Sequence, residues 1–340
     1  MTFRLRNHRR SVGILAAASV ALALTACSDN DSDGEDAASG ADSSAVETAG
    51  TFPQTVSTKF GDVTVDEQPT RVVALGWGDA ETALALGVQP VGASDWLAFG
   101  GDGVGPWLEG AYKESPEIIG TMEPEFETIA SLEPDLILDV RSSGDQDRYD
   151  KLSEIATTVG VPEGADSYLT PRKQQVDMIS TALGLPDEGD ELNDSYEAMV
   201  SGIRDDHPEW ADKTAATVAL SSEGWGAYIR GSERYDTLLD LGFQENETLA
   251  EEETGDTGFS VKLSDETLSL ADSDLVVAFA VGTTPEDVEA NSAWQRLSAT
   301  EEGHSFPMPK EISSAYALGS PAAIEYALGQ LVPLLEEHTE

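Results

Sequence analysis

The chain has 340 residues, with 64 acids against 19 lysines and arginines, and a formal net charge of −45. So acidic a protein repels nucleic acid and bare anionic lipid unless it carries a concentrated basic face, and none is written here. One cysteine, Cys27, leaves no internal disulfide and no cysteine-ligated metal site to consider.

The N-terminus carries Arg4, Arg6, Arg9 and Arg10 and then an apolar run, Val12 to Leu24, too short to span a bilayer as a stable helix. Residues 1–26 therefore read as a secretory signal peptide. Its end, Leu24-Thr25-Ala26-Cys27, resembles the bacterial lipobox. Lipid on Cys27 is expected to hold the chain on the outer face of the cell membrane. Residues 27–54, rich in Ser, Asp, Ala and Gly, cannot bury enough apolar surface to offset their ordering entropy, and read as a flexible acidic linker.

From there strands and helices alternate. Arg71 to Gly76 is a short strand, Trp77 to Leu86 a loop opening into a helix, and Val88 to Ala93 a second strand leading to a glycine-rich loop with Trp96, Phe99 and Trp107. Glu125 to Leu132 reads as a helix, Pro134 to Val140 as a buried strand, and Tyr149 to Val159 as helix. A connector over 171–208 follows in two helical pieces, broken at Gly184 and Pro186 and stopped at His207-Pro208. The pattern then restarts: strand Ala216 to Ser221, a loop or hairpin at Gly224 to Tyr228, helix Arg234 to Leu241, strand Leu275 to Ala280, a helix around Trp294 and a last helix from Pro321.

The two halves share a detailed repeat. Glu127-Thr-Ile-Ala-Ser-Leu-Glu-Pro-Asp135-Leu-Ile-Leu aligns without a gap with Glu266-Thr-Leu-Ser-Leu-Ala-Asp-Ser-Asp274-Leu-Val-Val. The expected fold class is α/β: two similar lobes over 55–170 and 209–340, each a mostly parallel sheet flanked by helices, joined by a rigid connector helix.

Arg71-Val-Val-Ala-Leu-Gly-Trp-Gly-Asp, the Glu127 to Leu138 segment, Tyr149 to Ala156 and the Gln174 to Gly184 helix together resemble the substrate-binding lipoproteins of bacterial ABC importers, in the class that captures ferric siderophores, haem or cobalamin. The resemblance implies a ligand cleft between the lobes, no catalysis and no cofactor. It also implies a ferric siderophore as cargo that itself holds the iron, a permease dimer with its ATPase as partner, and a monomeric receptor. Haem or cobalamin is the alternative ligand, with His304 the histidine available to haem. A carboxylate-based enzyme is the more distant alternative.

Ligands of open α/β sheets lie beyond the carboxyl ends of strands. This selects Trp77, Trp96, Arg141, Ser142, Ser143 and Tyr168 in the first lobe, and Trp225, Tyr228, Arg230 and Thr283 in the second, with Tyr316 in the loop before the last helix. Aromatic faces and guanidinium forks suit a large, oxygen-rich complex. Arg234, a turn into a helix, reads more readily as a capping or pairing residue. The resemblance implies that Glu127 and Glu266 meet basic pockets of the permease. No nucleophile elbow, dinucleotide fingerprint or phosphate-binding loop occurs.

Overall fold

The structure, a computed structural model, describes residues 50–254 and 260–340. The expected signal peptide, Cys27 and most of the acidic linker lie outside the described residues. Among the described residues no helix is long and apolar enough to cross a membrane.

A hairpin of β1 (Gln54–Thr58) and β2 (Gly61–Val65) comes first. Then follow β3 (Val72–Ala74), α1 (Asp79–Ala85), β4 (Gly92–Ser94), β5 (Glu117–Ile119), α2 (Phe126–Ser131), β6 (Leu136–Leu138), α3 (Gln146–Ser153) and β7 (Thr157–Val159). Strands β3 to β7 form one sheet in the order β5-β4-β3-β6-β7, every pairing parallel. Val72, Ala74, Leu136 and Leu138 face one apolar cluster with Ile179 and Ala182, while Val73 and Ile137 face another with Ile129 and Leu152. Side chains alternate across a strand, so a strand covered on both faces is apolar at every position. The expected helix from Tyr149 to Val159 is corrected here. α3 ends at Ser153, and Thr157, Thr158 and Val159 form the edge strand, where their β-branched side chains fit better than in a helix.

The connecting segment is α4 (Arg172–Ala182) and α5 (Pro186–Asp206). Between them Gly184 takes φ 75, and a Cβ there would overlap the Phe52 ring. Met178, Ile179 and Ala182 of α4 lie in the N-terminal core, and Leu192 of α5 packs against it; Tyr196, Met199, Val200 and Ile203 pack with the C-terminal core. By its contacts α4 belongs to the first lobe, and α5 alone passes from one core to the other.

The C-terminal lobe runs β8 (Thr214–Ser221), β9 (Gly224–Tyr228), α6 (Glu233–Asp240), β10 (Gln244–Glu245), α7 (Glu247–Ala250), β11 (Ser260–Leu263), β12 (Leu275–Val281), α8 (Pro285–Ala290), α9 (Ser298–Glu302), β13 (Ser305–Pro307), α10 (Lys310–Leu318) and α11 (Pro321–Thr339). The sheet order is β11-β9-β8-β12-β13, with β10 beside the start of β8. β8, β12 and β13 are parallel; β9 and β11 add an antiparallel flank through the turn before Gly224. Trp294 begins a short 3-10 turn, and the segment holding Tyr316, expected as loop, is the helix α10.

The sequence repeat has a structural counterpart. Asp135 accepts from the Thr70 N–H and Oγ1–H and from the Arg71 N–H at 2.7–2.9 Å, and Asp274 accepts from the Thr214 N–H and Oγ1–H at 2.7 and 2.8 Å. Each aspartate starts a central strand and ties it to the beginning of its parallel neighbour, so both β3/β6 and β8/β12 pairs are anchored alike. These charged hydrogen bonds hold the Asp274 carboxyl below the usual range.

Candidate functional site

Three loops leaving the carboxyl ends of β3, β4 and β6 build one wall of the interlobe cleft. After β3, Gly76 lets α1 come close: a Cβ there would overlap the Asp79 carboxyl and stand 2.8 Å from the Arg141 amide N. Asp79, fully buried, accepts from the Val140 N–H at 2.8 Å and from Gln175 Nε2 at 2.6 Å, and Gln175 Nε2 also donates to the Trp77 carbonyl at 2.8 Å. One carboxylate and one amide thus fix the backbone of both the Trp77 and the Arg141 loops. Burial pushes the Asp79 pKa up to about 7, the hydrogen bonds offsetting part of the desolvation.

On this support Trp77 stacks on Trp96, with centroids 5.7 Å apart and planes at 9°. Tyr168 meets Trp96 edge-on at 5.0 Å and Trp77 at 6.5 Å. Trp96 is held by an Nε1–H bond to the Leu75 carbonyl. The Trp77 indole N–H is buried without a hydrogen-bond partner. Ser167 and Tyr168 both have positive φ, 59 and 67, a backbone region costly for side chains with a Cβ. Their N–H groups donate to the Ser143 and Ser142 carbonyls at 3.0 and 2.8 Å, and the Tyr168 carbonyl accepts from Arg141 Nε. Ser142 and Ser143 therefore serve the site through backbone carbonyls that hold Tyr168 in place. Met122, 67% exposed, lies at the Tyr168 hydroxyl and extends the apolar rim.

Arg141 crosses to the other lobe. Its Nη1 donates to the Leu318 carbonyl at 2.9 Å, its Nη2 lies 3.5 Å from Glu233 Oε2, and its guanidinium carbon is 5.6 Å from the Trp77 ring centroid. The opposing wall carries Arg234. Its Nη1 donates to Tyr228 Oη at 2.5 Å, and its guanidinium stands over the Tyr228 and Phe279 rings at 5.2 and 5.3 Å. Trp77, Leu97 and Phe99 pack against the C-terminal core, and Trp107, which Phe99 meets edge-on, lies 5.4 Å from the Tyr326 ring of α11, so the lobes touch there.

Several expected contacts sit elsewhere. Trp225 is 3% exposed, stacks on Trp294 and donates to Asp265, within the core on the far face of the second sheet. Strand alternation puts it on the face opposite Tyr228. Tyr316 is 3% exposed in the core, with its hydroxyl toward the Arg234 carbonyl, and it lines a separate cavity of about 200 Å³ at the connector together with Arg172, Tyr196, Glu233 and Asp240. Arg230 is an exposed residue paired with Glu245 at 3.2 Å. Thr283 donates to the Leu220 carbonyl at the end of β8 and so closes the strand rim. His304 accepts the Val276 N–H through its carbonyl where β13 begins, at the end of the sheet opposite the cleft, which removes it as a haem ligand. Arg234, expected to cap or pair, pairs with the Tyr228 hydroxyl and the Phe279 ring; its position one residue after Glu233, with Tyr228 before it, carries no distinctive spacing. Glu127 and Glu266 are both exposed, one on α2 and one ahead of the matching 3-10 turn.

Comparison with known proteins agrees with this architecture. The chain is 27% identical over 254 residues to the probable siderophore-binding lipoprotein YfiY of Bacillus subtilis (strain 168), covering 71% of this chain and 75% of that one. A periplasmic solute binding protein from Mycobacterium smegmatis superposes with a TM-score of 0.73 at 27% identity, over 85% of this chain and 99% of that one. The iron uptake ABC transporter substrate-binding protein PiaA from Streptococcus pneumoniae TIGR4, a protein also solved in complex with ferrichrome, gives a TM-score of 0.68 at 26% identity, over 84% and 99%. Residues 72–312, which span both sheets and every cleft residue named above, match the family described as Periplasmic binding protein, and the chain belongs to that family as a binding protein and not an enzyme.

Proposed function

We propose that this chain captures a ferric siderophore between its lobes and hands it, unaltered, to an ABC importer permease driven by an ATPase. The observation that carries this reading is the wall on which Trp77, Trp96 and Tyr168 gather beside Arg141, with Arg234 and Tyr228 on the other lobe. Aromatic faces supply contact area at low rotamer cost, and the guanidiniums supply donors for the oxygens around a chelated metal. The siderophore and ferrichrome named for the relatives above support the same class of ligand.

Ligand contacts are assigned to Trp77, Trp96, Arg141, Tyr168, Tyr228 and Arg234. Glu127 and Glu266, exposed at matched positions of the two lobes, are assigned to permease docking, where rim charges orient an encounter more than they add affinity. Lipid on Cys27 is the anchor, with a monomer working at the outer face of the membrane; Cys27→Ser is expected to move the processed protein to the medium on fractionation. The central test is a titration of tryptophan fluorescence with ferric siderophores, haem and cobalamin. Saturable quenching by an iron siderophore, weakened by Trp96→Ala, is expected. Quenching by haem or cobalamin alone overturns the assignment.

A further inference from the structure

The lobes are tied a second time, away from the connector. Glu81 of α1 is 3% exposed, and its carboxylate takes three donors. Oε1 accepts the Gly105 N–H at 3.0 Å, while Oε2 accepts Trp107 Nε1–H at 2.9 Å and the Ser320 hydroxyl. Gly105 and Trp107 belong to the glycine-rich loop after β4. Ser320 belongs to the other lobe, where it caps α11 by accepting the Ala323 N–H at 3.3 Å. A carboxylate at this depth is costly unless its oxygens are filled, and here the donors that fill them come from both lobes.

The turn that leads into Ser320 approaches the first lobe closely. Gly319 has φ 66, and a Cβ on Gly78 would stand 3.3 Å from the Leu318 carbonyl oxygen, so glycine on each side permits the contact. Beyond the cap, Trp107 packs on Tyr326 of α11 and meets Phe99 edge-on. Glu81 thus joins α1, the loop that follows Trp96, and the start of α11. None of these elements is α5. A single connecting helix bends more readily than it stretches, and a second fixed point on other elements makes the same bend break charged hydrogen bonds in the interior. We propose that Glu81 is a positioning residue for the cleft: a buried clasp that fastens the cap of α11 and the Trp107 loop to α1, and so sets the angle between the lobes before any ligand arrives. The clasp is a property of the ligand-free protein, whichever ligand the cleft takes.

Spin labels can read the lobe spacing directly. In a Cys27→Ser background, which removes the only cysteine, labels on Asp147→Cys of α3 and Glu289→Cys of α8, both exposed, report the interlobe distance by pulsed electron paramagnetic resonance. With the clasp intact, ligand-free protein is expected to give one narrow distribution. Ser320→Gly removes the hydroxyl but leaves a residue that helix caps tolerate, so α11 persists. Its distribution is expected to shift or broaden by about 2 Å or more. Glu81→Gln keeps the side-chain size, yet its one carbonyl cannot serve the Gly105 and Trp107 N–H groups at two separate oxygens, whereas the Ser320 hydroxyl can turn to accept from the amide. Hydrogen exchange in the segment holding Gly105 and Trp107 is therefore expected to quicken about 10-fold or more, with a smaller change in lobe spacing than in Ser320→Gly. Circular dichroism checks that each variant is folded, and Ser320→Gly alone decides if Glu81→Gln is not. Wild-type spacing and width in Ser320→Gly overturn the clasp between lobes; unchanged exchange in folded Glu81→Gln overturns its hold on the loop. Neither readout uses a ligand, so the clasp and the siderophore reading fail separately.

Discussion

At the residue scale, Asp79 shows how the binding wall is held. Its carboxyl supports the Trp77 and Arg141 loops from inside the protein, where it is fully buried, and burial raises its pKa from 3.8 to about 7. An acid whose folded pKa is raised binds more protons folded than unfolded between those two values, so stability falls as pH rises from about 4 to about 7 and then levels off. The share from Asp79 is on the order of 4 kcal/mol. Glu81, also buried, accepts from Ser320 Oγ, the Gly105 N–H and Trp107 Nε1, and its pKa is raised in the same direction by desolvation. Thermal melting across this range should therefore show a declining Tm, and Asp79→Asn should flatten the decline by a few degrees. An equal slope in both proteins would mean that Asp79 is ionised throughout.

At the element scale, α5 rather than the whole connector spans the lobes. Its first turns pack on the N-terminal core and its later turns on the C-terminal core, so a shift between lobes must bend a helix of 21 residues or disturb one of two cores. A continuous helix resists this more than paired flexible strands do, and small lobe movement follows. The start of α5 depends on Gly184, whose positive φ and closeness to Phe52 leave no room for a side chain. Gly184→Ala is expected to lower stability by about 1–3 kcal/mol in chemical denaturation. Ligand affinity measured well below the transition should change little, because the cleft residues lie elsewhere.

For the whole molecule, the matched exposed glutamates Glu127 and Glu266 sit ahead of Asp135 and Asp274, the two residues that anchor the central strands alike. A double change, Glu127→Lys with Glu266→Lys, is expected to spare ligand affinity and to cut uptake in cells by about 10-fold or more through repulsion from a basic partner. Uptake at the wild-type rate would remove the docking role. The alternation of elements, the connector break at Gly184 and the lobe repeat were all legible in sequence, because apolar periodicity, glycine and proline act locally. That Trp77, Trp96, Arg141 and Tyr168 come together was legible as well, since parallel strands direct their following loops to one edge of the sheet. Trp225 and Tyr316 were not, because which face of a strand or helix meets the cleft depends on what packs against the other face. Sequence alone determined an acidic, two-lobed α/β protein, for those features are set by composition and local pattern, while the binding role came from the family resemblance. Only the tertiary structure decided which acid meets Arg141, because that pairing joins the loop after β6 to Glu233 of α6 in the other lobe.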